Sequence, residues 1–200
     1  MPFFLLVGGA LGLGILFFSS GVSDMTTKGK RIYDLPDVEP LDQGGTYKTD
    51  YDVIFETVAN ETNVPFALLK AHAITESSLN PLALTDENPG KTPDRSGWAS
   101  RGLMQILFWQ NSSRLEQFGY SADDLFDSVL GDGGKLFDPY INAKIGGLLI
   151  KANLQACGGN LRDAVNMYNA GVKESVRVAP NNYVGKVIGY YSTLVKENVT

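Results

Sequence analysis

The chain has 200 residues, 44% of them hydrophobic and 20% charged, a balance that suits one globular domain with a short appendage and excludes a wholly disordered or fibrous chain. Seventeen basic residues against 22 acidic ones give a net charge of −5 with no long basic stripe, so a nucleic-acid partner has no electrostatic footprint. The single cysteine, Cys157, rules out an intrachain disulfide, and with one histidine in the chain a zinc cage or a Cys-His or Ser-His-Asp pair is a poor fit, so any catalytic chemistry falls to carboxylates.

Residues 3–18 read FFLLVGGALGLGILFF, without one polar side chain. As a helix the run covers about 24 Å, short of the roughly 30 Å hydrocarbon core of a bilayer. Extension through Val22 nearly closes that gap. Gly8 and Gly12 stand in the GxxxG spacing that lets two membrane helices approach closely. Only Met1 and Pro2 precede the run, so the basic leader of a secretory signal is missing. Lys28, Lys30 and Arg31 follow it, which biases its C-terminal side toward the cytoplasm. Residues 1–22 are therefore expected to be an uncleaved hydrophobic membrane segment. Residues 23–48, rich in Ser, Gly, Thr, Asp, Pro and Lys, read as a flexible linker.

From residue 49 onward the apolar spacing is helical, and the expected fold class is mainly α. Val53, Ile54, Thr57 and Val58 share one face of a first helix. Pro65 then opens FALLKAHAITES, in which Phe66, Leu69, Ala73 and Glu76 recur at the helical step. A short helix follows over 110–118. A longer one is expected over Asn142–Ala156, ended by Gly158-Gly159. Further helices begin near Arg162 and Tyr183. Strand-like alternation is scarce, apart from a suggested hairpin at KESVRV near Val172–Val178.

Glu76 is the informative carboxylate. It shares a face with Phe66, Leu69 and Ala73, which is the side expected to be buried. Burial penalises the ionised form and raises the pKa, and a carboxylic acid kept protonated near neutral pH can give its proton to a leaving oxygen. A Glu near a helix end that caps the helix or pairs with an arginine would carry no such chemistry. His72 lies one helical turn before Glu76, placed either to tune the acid or simply to fill the core.

The neighbourhood of Glu76 is specific. Ala73–Pro81 reads AITESSLNP, Gly102–Gln105 reads GLMQ, Ala164–Gly171 reads AVNMYNAG, and Tyr183-Val184 opens the last helix. This ordered set, over about residues 50–195, resembles the soluble lytic transglycosylase family, lysozyme-like enzymes that cut peptidoglycan. The resemblance implies a lysozyme-like helical domain over 49–200 with a substrate cleft, preceded by the apolar segment and the linker.

The resemblance also implies roles. Glu76 matches the sole catalytic acid, which protonates the β-1,4 glycosidic oxygen between N-acetylmuramic acid and N-acetylglucosamine. It then acts as base on the muramic C6 hydroxyl and leaves a 1,6-anhydro end. One carboxyl suffices if the substrate supplies the second nucleophile, where the usual glycosidase needs two. Substrate contacts are expected from Ser96, Met104, Gln105, Tyr168, Asn169 and Tyr183. Gly102 would admit the sugar close to the backbone. Gln105 would offer an amide to hydroxyls and acetamides, and Met104 an adaptable apolar wall. Tyr168 and Asn169 would lie across the cleft, with the Tyr168 hydroxyl near Glu76. Trp98 and Trp109 could stack on sugar faces or anchor the loop. No metal and no organic cofactor is implied.

The sequence departs from the family pattern in two places. The segment between Pro81 and Gly102 is long and holds Asp86, Glu87 and Asp94. Goose-type lysozymes, a related branch, use aspartates in this loop to help a water attack, so hydrolysis with Asp86 or Asp94 is an alternative outcome. Several relatives also carry a glutamate four residues before the late tyrosine. Ala179 stands there, with Glu174 as a substitute nearby.

The expected partners are peptidoglycan glycan strands and a membrane, reached through residues 3–18. A larger assembly is also expected, a phage virion that meets the wall during genome entry. The competing settings are a bacterial envelope enzyme of a secretion or pilus system and an inactive peptidoglycan-binding structural protein.

Overall fold

The structure, a computed structural model, describes residues 49–86, 99–125, 134–171 and 182–197. In these residues the chain is mainly α. The helices are α1 (Asp52–Thr62), α2 (Phe66–Ser77), α3 (Phe108–Gln117), α4 (Ala122–Leu125), α5 (Pro139–Ala156), α6 (Leu161–Ala170) and α7 (Asn182–Glu197), with a 3-10 turn at Gly134–Phe137. Three short strands, β1 (Leu84–Asp86), β2 (Ala99–Arg101) and β3 (Ile106–Leu107), form an antiparallel sheet in that order.

The centre of the domain is α2. Its residues Ala67–Ile74 are buried without interruption. A helix that is enclosed on every side belongs to the core and has no polar face. Neighbours on several sides account for this, because α2 packs on α7, α1 and α5. Even Lys70 is enclosed: its ammonium pairs with Asp52 of α1 at 2.7 Å and lies 5.4 Å from the centre of the Phe66 ring. A buried cation needs such partners to avoid a large desolvation cost. Ser78 (φ 54) and Leu79 (φ 64) turn the chain left-handed, and their N–H groups bond back to Ile74 and Ala73 carbonyls. That stop places Glu76 in the last turn of α2.

The other helices follow local rules. In α5, the Asp138 side chain caps the Ile141 N–H at 2.9 Å and Pro139 occupies the first turn, so the helix starts three residues earlier than its apolar pattern indicated. The Asn160 side chain caps α6 at Asp163 N–H, 3.1 Å. Gly158 (φ 60) and Gly159 (φ 86) carry the chain past the end of α5, as expected.

Two features of the fold go beyond what apolar spacing shows. The buried residues of α1 are Phe55, Val58 and Thr62, while Val53 is 70% exposed. Contact with α5 and α2 selects that stripe over the Val53-Ile54 edge. The sheet was also missed. Its strands are two or three residues long, too short to show a period, and β2 is buried throughout, which removes alternation.

No helix among the described residues is long and apolar enough to cross a membrane. The apolar run 3–18, the linker 23–48 and the suggested hairpin near Val172–Val178 lie outside the described residues.

Candidate active site

The site forms where the last turn of α2 meets the first turn of α7. Glu76 is half-buried there. The Tyr183 hydroxyl donates to Glu76 Oε1 at 2.5 Å, a short charge-assisted geometry. The same hydroxyl lies 2.9 Å from His72 Nδ1. His72 and Glu76 are one turn apart on α2 and so reach toward the same neighbour. The tyrosine lies 107 residues from Glu76 and 111 from His72 in sequence.

Burial dictates the protonation of this row. His72 is completely enclosed, and desolvation pulls its pKa down to about 3, so it is neutral under ordinary conditions. Its Nε2 is buried with no hydrogen-bond partner among the described residues. Burial first, and then the charge of Glu76, push the Tyr183 and Tyr168 phenols well above their usual value. Both remain protonated donors at any working pH. The Tyr168 ring packs on His72 with centroids 4.7 Å apart and closes the row from the α6 side.

A second set of bonds fixes the turn Gly102–Gln105 between β2 and β3 beside α2. Ser77, the residue after Glu76, donates its hydroxyl to the Leu103 carbonyl at 2.9 Å. Asn80 turns the chain after α2 by accepting from Leu82 N–H at 3.0 Å. The Ala83 carbonyl that follows receives the Gly102 N–H at 2.9 Å and the Gln105 side-chain amide at 3.2 Å. From the other side, the buried Asn142 of α5 accepts from Met104 N–H at 2.7 Å and donates to the Arg101 and Leu136 carbonyls, each at 2.8 Å. Gly102 has φ 74, and a Cβ there would stand 2.4 Å from Asn142 Nδ2 and 2.5 Å from the Leu136 carbonyl oxygen. Its missing side chain thus admits Asn142, where a sugar was expected to approach.

The expected site residues are only partly gathered. Tyr183 meets Glu76 directly. Tyr168 makes no such bond to it: its hydroxyl donates to the Met104 carbonyl at 2.9 Å, while the charge of Glu76 still acts on the phenol. Met104 is fully enclosed and packed on Gly146, where a Cβ would come within 2.7 Å of its Cε. It is therefore a core side chain and presents no apolar wall. Gln105 (φ 46) is half-buried, and its amide nitrogen is committed to the Ala83 and Gly102 carbonyls at 3.2 and 3.0 Å. Both N–H bonds being used, it offers a ligand its carbonyl oxygen, not the donor-and-acceptor pair expected of it. Asn169 is exposed at the end of α6. Trp109 is 45% exposed, with its ring edge-on to Phe108 at 5.1 Å. Asp86 closes β1 opposite Ala99. Ser96, Trp98, Glu87, Asp94, Glu174 and Ala179 lie outside the described residues.

Sequence reasoning missed Asn142 and Ser77. The first sits in an apolar helix and shows its importance only through three buried bonds, two of them to residues about 40 positions away. The second carried a signal, since a serine directly after a candidate acid, in the last helical turn, is placed to tie that turn to a neighbour.

Taken together, a mainly helical core, a short sheet and a half-buried carboxyl at a helix end define a lysozyme-like domain. Residues 54–186 match the family model of the transglycosylase SLT domain, and the chain belongs to that family. Among solved structures, the domain is similar to an inactive mutant of the lytic transglycosylase Slt from Pseudomonas aeruginosa, with a TM-score of 0.55, 17% identity and 75% of this chain covered. It is also similar to a 70-kDa soluble lytic transglycosylase in complex with bulgecin A (TM-score 0.54, 21% identity, 76% covered). The 70-kDa soluble lytic transglycosylase of Escherichia coli follows, with a TM-score of 0.50, 21% identity and 72% covered. The match spans about a quarter of each of those proteins: 24%, 25% and 24% of their chains.

Proposed function

We propose that this protein is a peptidoglycan lytic transglycosylase with Glu76 as its only catalytic acid and base. The observation that carries the reading is the Glu76 carboxyl, half-buried at the end of a core helix, with a protonated tyrosine fixed on one oxygen. Family membership supports it, as does the similar enzyme from Pseudomonas aeruginosa, whose glutamate-to-glutamine mutant is inactive.

In this reading Glu76 enters the reaction protonated. Its proton passes to the glycosidic oxygen as the bond from that oxygen to C1 of N-acetylmuramic acid breaks, and N-acetylglucosamine leaves with a free hydroxyl. The muramic C6 oxygen then attacks C1 while its proton goes to the Glu76 carboxylate. The enzyme is restored, a 1,6-anhydro ring is formed, and no water enters the balance. Tyr183 stabilises the carboxylate between the two proton transfers. The carbonyl oxygen of Gln105 and the amide of Asn169 accept and donate to the sugar's polar groups. Ser96 is a further substrate contact, Met104 and Tyr168 pack behind the Gly102–Gln105 turn, and residues 3–18 hold the enzyme at a membrane, in keeping with a virion protein that opens the wall during genome entry.

Mass spectrometry of fragments released from purified peptidoglycan tests the chemistry. Lytic cleavage gives 1,6-anhydromuramic ends that lack the elements of water. Reducing ends in their place would overturn the single-carboxyl mechanism and point to a second carboxylate, Asp86 or Asp94.

A further inference from the structure

The family reading uses Glu76 and leaves His72 aside, yet the only histidine of the chain is completely buried and aimed at the same tyrosine. We propose that His72 is a positioning residue: its Nδ1–H donates to the Tyr183 oxygen, which turns the single Tyr183 proton onto Glu76 Oε1 and leaves the other carboxyl oxygen to carry the catalytic proton. The inference rests on the transglycosylase reading above.

A tyrosine hydroxyl has one proton to give. Tyr183 stands between Glu76 Oε1 at 2.5 Å and His72 Nδ1 at 2.9 Å, so it can donate to only one of them. If it donated to His72, the imidazole proton would sit on Nε2. That atom is buried with no partner among the described residues. A buried orphan N–H is among the costliest and rarest polar defects, and an unused imidazole lone pair is the lesser one. The Nδ1–H tautomer is therefore selected by burial, and it makes His72 the donor. Tyr183 then donates to Oε1. With Oε1 accepting from the tyrosine, it serves best as the carbonyl oxygen of the acid, the stronger acceptor of the two carboxyl oxygens. The acid form of Glu76 accordingly carries its proton on Oε2. The row thus decides which oxygen performs the chemistry as well as stabilising the carboxylate.

Among the described residues, the titratable and charged groups that face this row are Glu76 on α2 itself, Tyr183 from α7 and Tyr168 from α6, with Arg114 of α3 acting on Tyr168 through its charge. Both tyrosines stay protonated, and His72 stays neutral until strongly acidic pH. Glu76 is the member of the row that changes charge during turnover.

The test has two arms. The first uses the wild-type full-length chain labelled with 15N. With one histidine present, its two ring nitrogens give an assignment-free signal, which is expected to show a protonated Nδ1 and a bare Nε2 that do not titrate between pH 5 and 8. A protonated Nε2 would overturn the proposal without any variant. The second arm compares His72→Leu and His72→Asn in a wall-cleavage assay alongside Glu76→Gln. The Leu variant is expected to lose about tenfold in kcat with KM unchanged. Its alkaline limb should move to higher pH, because a carboxylate short of a well-aimed donor holds its proton more tightly. The Asn variant, whose side-chain amide donates from near the Nδ1 position, is expected to restore most of that loss. Wild-type kcat and pH profile in the Leu variant would refute the positioning role, as would equal losses in both variants that follow only the folded fraction. Loss of all cleavage in Glu76→Gln, with His72→Leu unaffected, would leave the transglycosylase reading standing and remove this inference alone.

Discussion

Replacing Asn142 by alanine separates the frame of the site from its chemistry. The Asn142 side chain makes three buried hydrogen bonds, from Met104 N–H at 2.7 Å and to the Arg101 and Leu136 carbonyls at 2.8 Å each. Truncation leaves all three backbone groups without that partner, and each buried polar group so stranded costs about 1–3 kcal/mol. Water entering the vacated volume recovers a part, so the expected loss is about 4 kcal/mol, a large fraction of the 5–15 kcal/mol typical of a domain. Urea unfolding followed by circular dichroism measures it. With a slope of roughly 2 kcal/mol per molar, the midpoint should fall by about 2 M while the slope stays constant. Asn142→Asp adds a sharper condition. It keeps the acceptor for Met104 N–H and turns two donations into carboxylate–carbonyl repulsion, so it must be the worse of the two at neutral pH. A loss below about 1 kcal/mol for the alanine variant, or an aspartate variant milder than it, would refute the claim that this side chain holds the Gly102–Gln105 turn against α5.

Three further outcomes follow from the same geometry. Tyr183→Phe removes the donor on Glu76 Oε1 and should lower kcat for wall cleavage about tenfold or more, with little change in KM, measurable by initial rates on solubilised glycan strands. Gly146→Ala places a Cβ 2.7–2.9 Å from Met104 side-chain atoms, and although alanine favours helix, overpacking should win and cost about 1–3 kcal/mol, read as a lower melting temperature. His72 is held neutral in the folded chain, with a pKa near 3 against 6.5 when unfolded, so its contribution to stability is complete above pH 6.5 and declines as pH falls toward 3. That contribution should fall by up to about 1.4 kcal/mol per pH unit below pH 6, and in His72→Leu urea titrations across pH 4–7 should show a slope shallower by that amount.

The parts of the fold legible in the sequence were those governed by local rules. Pro65 marked the start of α2, Gly158-Gly159 the end of α5, and apolar spacing the existence of α3, α6 and α7. Spacing failed where burial is set by neighbours distant in sequence. Val53 is as apolar as Val58, yet only the packing of α5 on α1 decides which of them is covered. The strands of the sheet are stabilised by each other and by the Gly102–Gln105 turn, so no single one announces itself. At the candidate site, Glu76 and Tyr183 were legible through ordered motifs. The partners of Tyr168, Met104 and Gly102 were not, because no short motif contains them: the Met104 carbonyl for Tyr168, Gly146 for Met104, and Asn142 for Gly102. His72 stood in view as either a core residue or a tuning group, and its geometry makes it both a filler of the core and a neighbour of Tyr183.

The central claim is that one carboxyl performs both proton transfers, and Glu76→Gln tests it most directly. The amide is nearly isosteric and can still accept from Tyr183, so the variant should unfold at the same urea concentration as the wild type within experimental error. Release of dye from labelled cell walls should then fall by at least about a thousandfold, since neither acid nor base remains. A folded Glu76→Gln protein that releases dye at the wild-type rate would contradict the account, because cleavage would then be carried by some other group.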